Sequence, residues 1–211
     1  MKKVLSLVLV LSMILGSFGM VFAATPSDVV GRDCEAAVAV LTDLGVVSGY
    51  KDGTYKPEGI VTRAEMATLI VKALGLEGYA TGTSRFSDMS GNWADGYVAY
   101  ANTLGILSGY ADGTFRPNQT VTCDQAITMI INALGYTADS LNGTYPGAFV
   151  SKAKTLGVLD GVRSGSTGAN RGDVAIMLYN ALDQAIGKVN KDGDWTGIGI
   201  PRAKLWNTTP C

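Results

Sequence analysis

Leu44-Gly45-Val46-Val47-Ser48-Gly49-Tyr50 returns as Leu104-Gly105-Ile106-Leu107-Ser108-Gly109-Tyr110, 60 residues later. Each copy runs on into Asp-Gly-Thr-aromatic-basic-Pro, at Asp52–Pro57 and Asp112–Pro117, then into Val-Thr and an amphipathic stretch ending in Ala-Leu-Gly, at Val61–Gly75 and Val121–Gly135. A worn third copy keeps Leu156-Gly157-Val158-Leu159-Asp160-Gly161 and Asn170–Leu182. Units repeating at such a period stack on a shared core, so the chain has to be read as an array. The glycines Gly45, Gly49, Gly105, Gly109, Gly157 and Gly161 recur at fixed places in it.

Within a unit, Trp93, Tyr97, Ala101 and Leu104 are spaced like one face of a helix. Gly105 stops that helix as a left-handed cap. A turn-rich loop follows through Asp112-Gly113-Thr114 to Pro117. Thr122 opens a second helix with Ile127, Ile130, Ile131 and Leu134 on one face. The first copy matches without gaps, with Val38, Leu41 and Leu44, then Met66, Leu69, Ile70, Ala73 and Leu74. The third gives Phe149, Val150, Ala153 and Leu156, then Val174, Met177, Leu178, Ala181 and Leu182, across a shorter loop. The reading is a mainly α chain of three helix-loop-helix repeats, at 24–78, 82–138 and 141–187, with 188–211 a linker or the start of a downstream region.

Met1–Ala23 reads as a secretory signal peptide: Lys2 and Lys3, an apolar core from Val4, and Val21 and Ala23 ahead of cleavage before Ala24. The formal net charge of −1 gives no electrostatic case for nucleic acid. The chain has no His, which removes the commonest general base and metal ligand. Cys34, Cys123 and Cys211 match no metal spacing, and a Cys34–Cys123 disulfide is open to an exported protein.

Thr62-Arg63-Ala64-Glu65 opens the second helix of the first repeat. Thr62 and Glu65 fit a capping box. Thr122 and Gln125 repeat it, and Asn170 with Asp173 is a weaker version. Arg63 is not explained by capping, because a cation in the first turn opposes the helix dipole. It either helps the helix amides hold an anion, above all a carboxylate, or pairs with a neighbouring acid. Arg171 occupies the same place in repeat three; repeat two has Cys123. Trp93, beside Asn92 and Asp95, either stacks on a sugar ring or belongs to the core. One Asp per Asp-Gly-Thr loop is too few oxygens for calcium, so no metal or cofactor is expected.

Phe86-Ser87-Asp88, Trp93-Ala94, Leu104-Gly105-Ile106, Gly109-Tyr110, Asp112-Gly113-Thr114-Phe115, Pro117 and Thr62-Arg63-Ala64-Glu65 together resemble the S-layer homology family, over residues 27–187. The resemblance implies one pseudo-threefold module around a central helix bundle, with grooves between repeats. It implies a secreted protein at the bacterial cell wall, attached non-covalently to secondary cell wall polysaccharide, often through a pyruvylated amino sugar. The Arg of Thr-Arg-Ala-Glu would then lie in the groove and meet the ligand's charge. Carried over residue by residue, the glycan contacts are Thr62, Arg63, Glu65, Trp93 and Asp95, with Arg171 in a degraded Asn170-Arg171-Gly172-Asp173. Repeat two departs at Cys123 and gains Asp124, so at most two grooves are expected to take an anionic sugar, the one with Arg63 first. Several weak sites on one rigid module add up on a polymer. The alternative is a structural role in which the repeats pack against other surface-layer proteins. No pattern of nucleophile, base or paired carboxylates suggests an enzyme.

Overall fold

The computed structural model describes residues 25–141, 143–163, 168–184, 186–189 and 195–199. The expected signal peptide at 1–23, Cys211 and most of the segment after 187 lie outside these. Among the described residues six α-helices come in three pairs: α1 (Glu35–Asp43) with α2 (Arg63–Ala73), α3 (Asp95–Thr103) with α4 (Cys123–Ala133), and α5 (Gly147–Thr155) with α6 (Arg171–Leu182). Short 3-10 turns lie at Glu77–Tyr79 and Asp139–Leu141, and two antiparallel strands, β1 (Ile186–Val189) and β2 (Trp195–Gly199), follow the last helix. The protein is mainly helical.

Local chemistry sets the helix ends. Thr62 caps α2 through the capping box: its N–H donates to Glu65 Oε2 at 2.8 Å, and the Glu65 N–H donates to Thr62 Oγ1 at 3.3 Å. Thr122 and Gln125 do the same for α4. On α6 the Asp173 N–H donates to Asn170 Oδ1 at 2.7 Å. At the other end, Gly45 after α1 has φ +69° and Gly105 after α3 has +73°. There the N–H groups of Val46 and Ile106 reach back to Leu41 O and Ala101 O, at 2.8 and 3.0 Å, closing Schellman turns. Gly157 repeats this after α5, and the residue that follows each glycine (Val46, Ile106, Val158) is buried.

The second helices α2, α4 and α6 touch one another and form the centre. Each first helix packs on the second helix of a different repeat: α3 on α2, α5 on α4, and α1 on α6. Just ahead of the central helices, three backbone hydrogen bonds run in a circle. Val61 N–H donates to Ala169 O (2.9 Å), Ala169 N–H to Val121 O (2.9 Å), and Val121 N–H to Val61 O (3.0 Å). All three residues are fully buried, so the circle satisfies backbone groups that no helix or sheet could reach.

Two expectations change. The first helix of repeat two starts at Asp95, so Trp93 precedes it, in a turn where Asn92 Oδ1 accepts the Ala94 N–H at 2.9 Å. Trp93 is 64% exposed and Leu104, at the C-cap, 45% exposed. The face that packs is Ala94, Val98 and Ala101. Trp93 is therefore not a core residue. Cys34 and Cys123 are not joined by a disulfide; Cys34 is buried, and burial pushes its thiol pKa up.

Candidate functional site

The N-terminus of α2 is the best-built polar feature of the chain. The backbone N–H groups of Arg63 and Ala64 donate to Gln119 O and Pro117 O, at 2.9 and 3.0 Å. With Glu65 N–H on Thr62, the first-turn donors that would have cradled an anion are taken up by the loop of the second repeat. The Arg63 side chain is buried, at 5% exposure. Its Nε donates to Phe115 O at 2.7 Å and its Nη2 to Ser108 O at 2.9 Å. Its guanidinium carbon lies 4.5 Å from the Phe115 ring centre and 5.0 Å from that of Tyr110. Burial lowers its pKa. No carboxylate lies within ion-pair distance of Arg63 among the described residues. Its charge is held by carbonyl dipoles and ring faces.

Arg171 on α6 repeats this against the first loop. Its Nε donates to Tyr55 O at 2.9 Å and its Nη2 to Ser48 O at 3.1 Å, with Tyr55 and Tyr50 beneath it at 4.5 and 5.2 Å. The Arg171 and Gly172 N–H groups donate to Gly59 O and Pro57 O, each at 2.8 Å. At the matching position Cys123 Sγ lies 3.6 Å from Gly168 O.

The loops are held by carboxylates that periodicity did not single out. Asp88 accepts the Phe115 and Arg116 N–H groups, both at 2.7 Å, and Asp28 accepts those of Tyr55 and Lys56, at 2.7 and 2.8 Å. Lys56 and Arg116 sit at φ +57° and +60°, a region that costs a side-chain-bearing residue about 1 kcal/mol or more. The aspartates pin them there. Burial works against the charge of Asp28, but the two backbone donors outweigh it and hold its pKa below the usual range. In the Asp-Gly-Thr phrase, Asp52 and Asp112 each accept both the N–H and the hydroxyl of the following Thr54 or Thr114. The phrase is a turn-former.

Of the other expected contacts, Asp95 accepts the Ser84 N–H at 2.9 Å, and Trp93 stands exposed two residues before α3, the helix that packs on α2. Tyr145, at the matching position of the third repeat, is 56% exposed; burial of part of its ring and the charge of Asp124 raise its pKa. Asp33 holds that position in the first repeat and borders an open groove of about 440 Å³ between the first and third repeats. Arg32, Glu58, Arg163, Asn170 and Asp173 also line it. Arg163 pairs with Asp33 across the groove, and Arg32 pairs with Glu58 at 2.6 Å, all four side chains being substantially exposed. Sequence reasoning missed both pairs: Arg163 and Asp33 come from different repeats, and Arg32 and Glu58, though both in the first, are 26 residues apart and on no common helix.

The model of the S-layer homology domain matches residues 27–67 and 85–127. The chain belongs to the S-layer homology domain family. A middle cell wall protein of Brevibacillus brevis is 38% identical over 86% of this chain and 18% of its own length. A surface layer protein of Brevibacillus choshinensis is 35% identical over 88% and 17%. A cellulosome-anchoring protein of Acetivibrio thermocellus is 33% identical over 46% and 23%. The chain thus spans less than a quarter of the length of these relatives. As an S-layer homology protein it is a secreted protein of the bacterial cell surface and wall, and family and relatives together support surface attachment. The matched segments are the first two S-layer homology repeats; α5 and α6 lie outside them. No helix among the described residues is long and apolar enough to cross a membrane.

Proposed function

We propose that this S-layer homology module is a non-enzymatic anchor that binds secondary cell wall polysaccharide in its inter-repeat grooves. The ligand class is an anionic, pyruvylated amino sugar. The observation that carries the reading is Trp93: a large aromatic, 64% exposed beside the α2–α3 contact, with no packing reason to be there. An exposed indole offers a flat apolar face to a sugar ring, with a polar edge for hydroxyls. We assign Thr62 and Glu65 at the start of α2 and Asp95 at the start of α3 to the same site, and Arg63 adds a buried positive charge with no carboxylate at ion-pair distance among the described residues.

The groove between the first and third repeats carries Arg32 and Arg163 beside Asp33, Glu58 and Asp173, so an anion entering it must displace acids from those cations. Arg171 has no carboxylate at ion-pair distance among the described residues. Arg32 and Arg163 are held by exposed acids, and such pairs contribute about 0–1 kcal/mol, so a sugar carboxylate can replace them. Two grooves of modest affinity on one rigid body act together on a polymer. Cargo carried by the rest of a longer protein would be attached to the wall through this module.

The test is Trp93→Ala in a sedimentation assay with sacculi that retain their secondary polysaccharide. The variant is expected to stay folded and to leave the pellet. Pelleting equal to wild type would remove Trp93 from the site.

A further inference from the structure

Arg63 and Arg171 occupy the same place in their repeats, yet neither side chain ends in its own repeat. Arg63 reaches carbonyls 45 and 52 residues on, in the second loop; Arg171 reaches carbonyls 116 and 123 residues back, in the first. Each meets the same two groups of its loop, the carbonyl of the serine in Ser-Gly-Tyr and that of the aromatic after Asp-Gly-Thr. The tyrosine under each arginine carries a second cation, Arg116 at 3.8 Å from the Tyr110 ring centre and Lys56 at 4.2 Å from that of Tyr50. Those second cations are the two non-glycine residues at positive φ among the described residues. Loop, aromatic pair and neighbour's arginine form one interlocked unit, built twice.

Position 123 closes the cycle. It faces the third loop, through Cys123 Sγ and Gly168 O. That loop lacks Ser-Gly-Tyr and Asp-Gly-Thr-aromatic-basic-Pro. The missing arginine belongs to repeat two and the missing phrase to repeat three, but both fall at one junction. An arginine that served a ligand would have no reason to vanish together with the loop it would have docked on.

We propose that Arg63 and Arg171 are positioning residues: each staples the loop of another repeat to a helix N-terminus and fixes one wall of a groove. They act on the wall glycan through those loops without touching it. Their guanidinium donors at Nε and Nη2 are spent on backbone carbonyls, and their faces lie on rings. The inference rests on the anchoring reading for its ligand, and on geometry alone for the staple.

The experiment is backbone amide exchange on full-length Arg63→Met and Arg171→Met, alongside sedimentation with polysaccharide-bearing sacculi. Arg63→Met is expected to speed exchange at Tyr110, Phe115 and Arg116 by about tenfold or more while Tyr50, Tyr55 and Lys56 keep their protection. Arg171→Met is expected to give the reverse, and Cys123→Met to change neither loop. Should Arg63→Met fail to fold, Arg63→Lys, which keeps the charge but loses the fork, is read in the same way. Tyr110→Ala, with Arg63 in place, is expected to reduce pelleting as Arg63→Met does. Loss of pelleting by Arg63→Met with both loops still protected would overturn the staple and make Arg63 a direct contact, as would full pelleting by Tyr110→Ala. If wild type fails to pellet, anchoring fails, and the crossed exchange pattern still decides the staple.

Discussion

Replacing Arg63 with Ala tests whether this arginine carries stability. The side chain is 5% exposed and makes two hydrogen bonds from a charged donor, one of them to the carbonyl of fully buried Phe115. Such bonds contribute about 1.5–3 kcal/mol each. Contact with two ring faces adds about 1–2 kcal/mol in a desolvated setting. Against this stand about 2 kcal/mol of rotamer entropy and part of the desolvation of the cation, both recovered in the variant. The balance is a net loss of about 3 kcal/mol, largely because Phe115 O and Ser108 O lose their donor. For a domain of this size that lowers Tm by about 6–12 °C. Arg171→Ala, at a partly exposed site, should lose less, and Cys123→Ala least of the three. The assay is thermal unfolding followed by circular dichroism. A drop of less than about 3 °C for Arg63→Ala would refute the reasoning, since a ligand-binding arginine left open in a groove can be removed with little loss.

Further expectations concern the loops and the groove. Asp28 has a depressed folded pKa, so its contribution is present above about pH 4 and is lost as pH falls through the lower folded value. Asp112, held at about 2 by the Thr114 hydroxyl, then Arg116, acts in the same direction but weakly at full exposure. Melting temperature should therefore fall between about pH 4 and pH 2, and Asp28→Asn should flatten that fall. Gly109→Ala would place a Cβ 2.1 Å from Phe86 Cε1, in a ring that is buried and packed on Phe115. It should cost about 1–3 kcal/mol, measurable by urea unfolding, and more than Gly49→Ala, whose tightest contact is 3.0 Å from Thr54 O. Trp93→Ala should change stability by no more than about 0.5 kcal/mol while reducing pelleting with sacculi, a separation that a core tryptophan would not allow.

Features confined to a few consecutive residues were legible in the sequence. Thr62 with Glu65 and Gly45 with Val46 make their bonds within one turn, so their spacing stated their role. The Asp-Gly-Thr turns were visible for the same reason. Trp93 was misplaced because its spacing from Tyr97 continues a helical period that the chain enters only at Asp95. The partners of Arg63 were out of reach: periodicity describes one element, whereas Phe115 O and Ser108 O lie in another repeat. The same holds for Arg163 and Asp33, 130 residues apart, which meet only because α1 packs on α6. Asp28 and Asp88 were present in Ser27-Asp28 and Ser87-Asp88, and their recurrence at the repeat period was the signal that could have found them.

The central claim is attachment to the wall through its polysaccharide. The most direct measurement is sedimentation of residues 24–211 with two preparations of the same sacculi, one retaining its secondary polysaccharide and one stripped of it. Pelleting with the first and not the second is the predicted result. A protein that stays in solution with both would contradict the account and leave packing against other surface proteins as the function of the repeats.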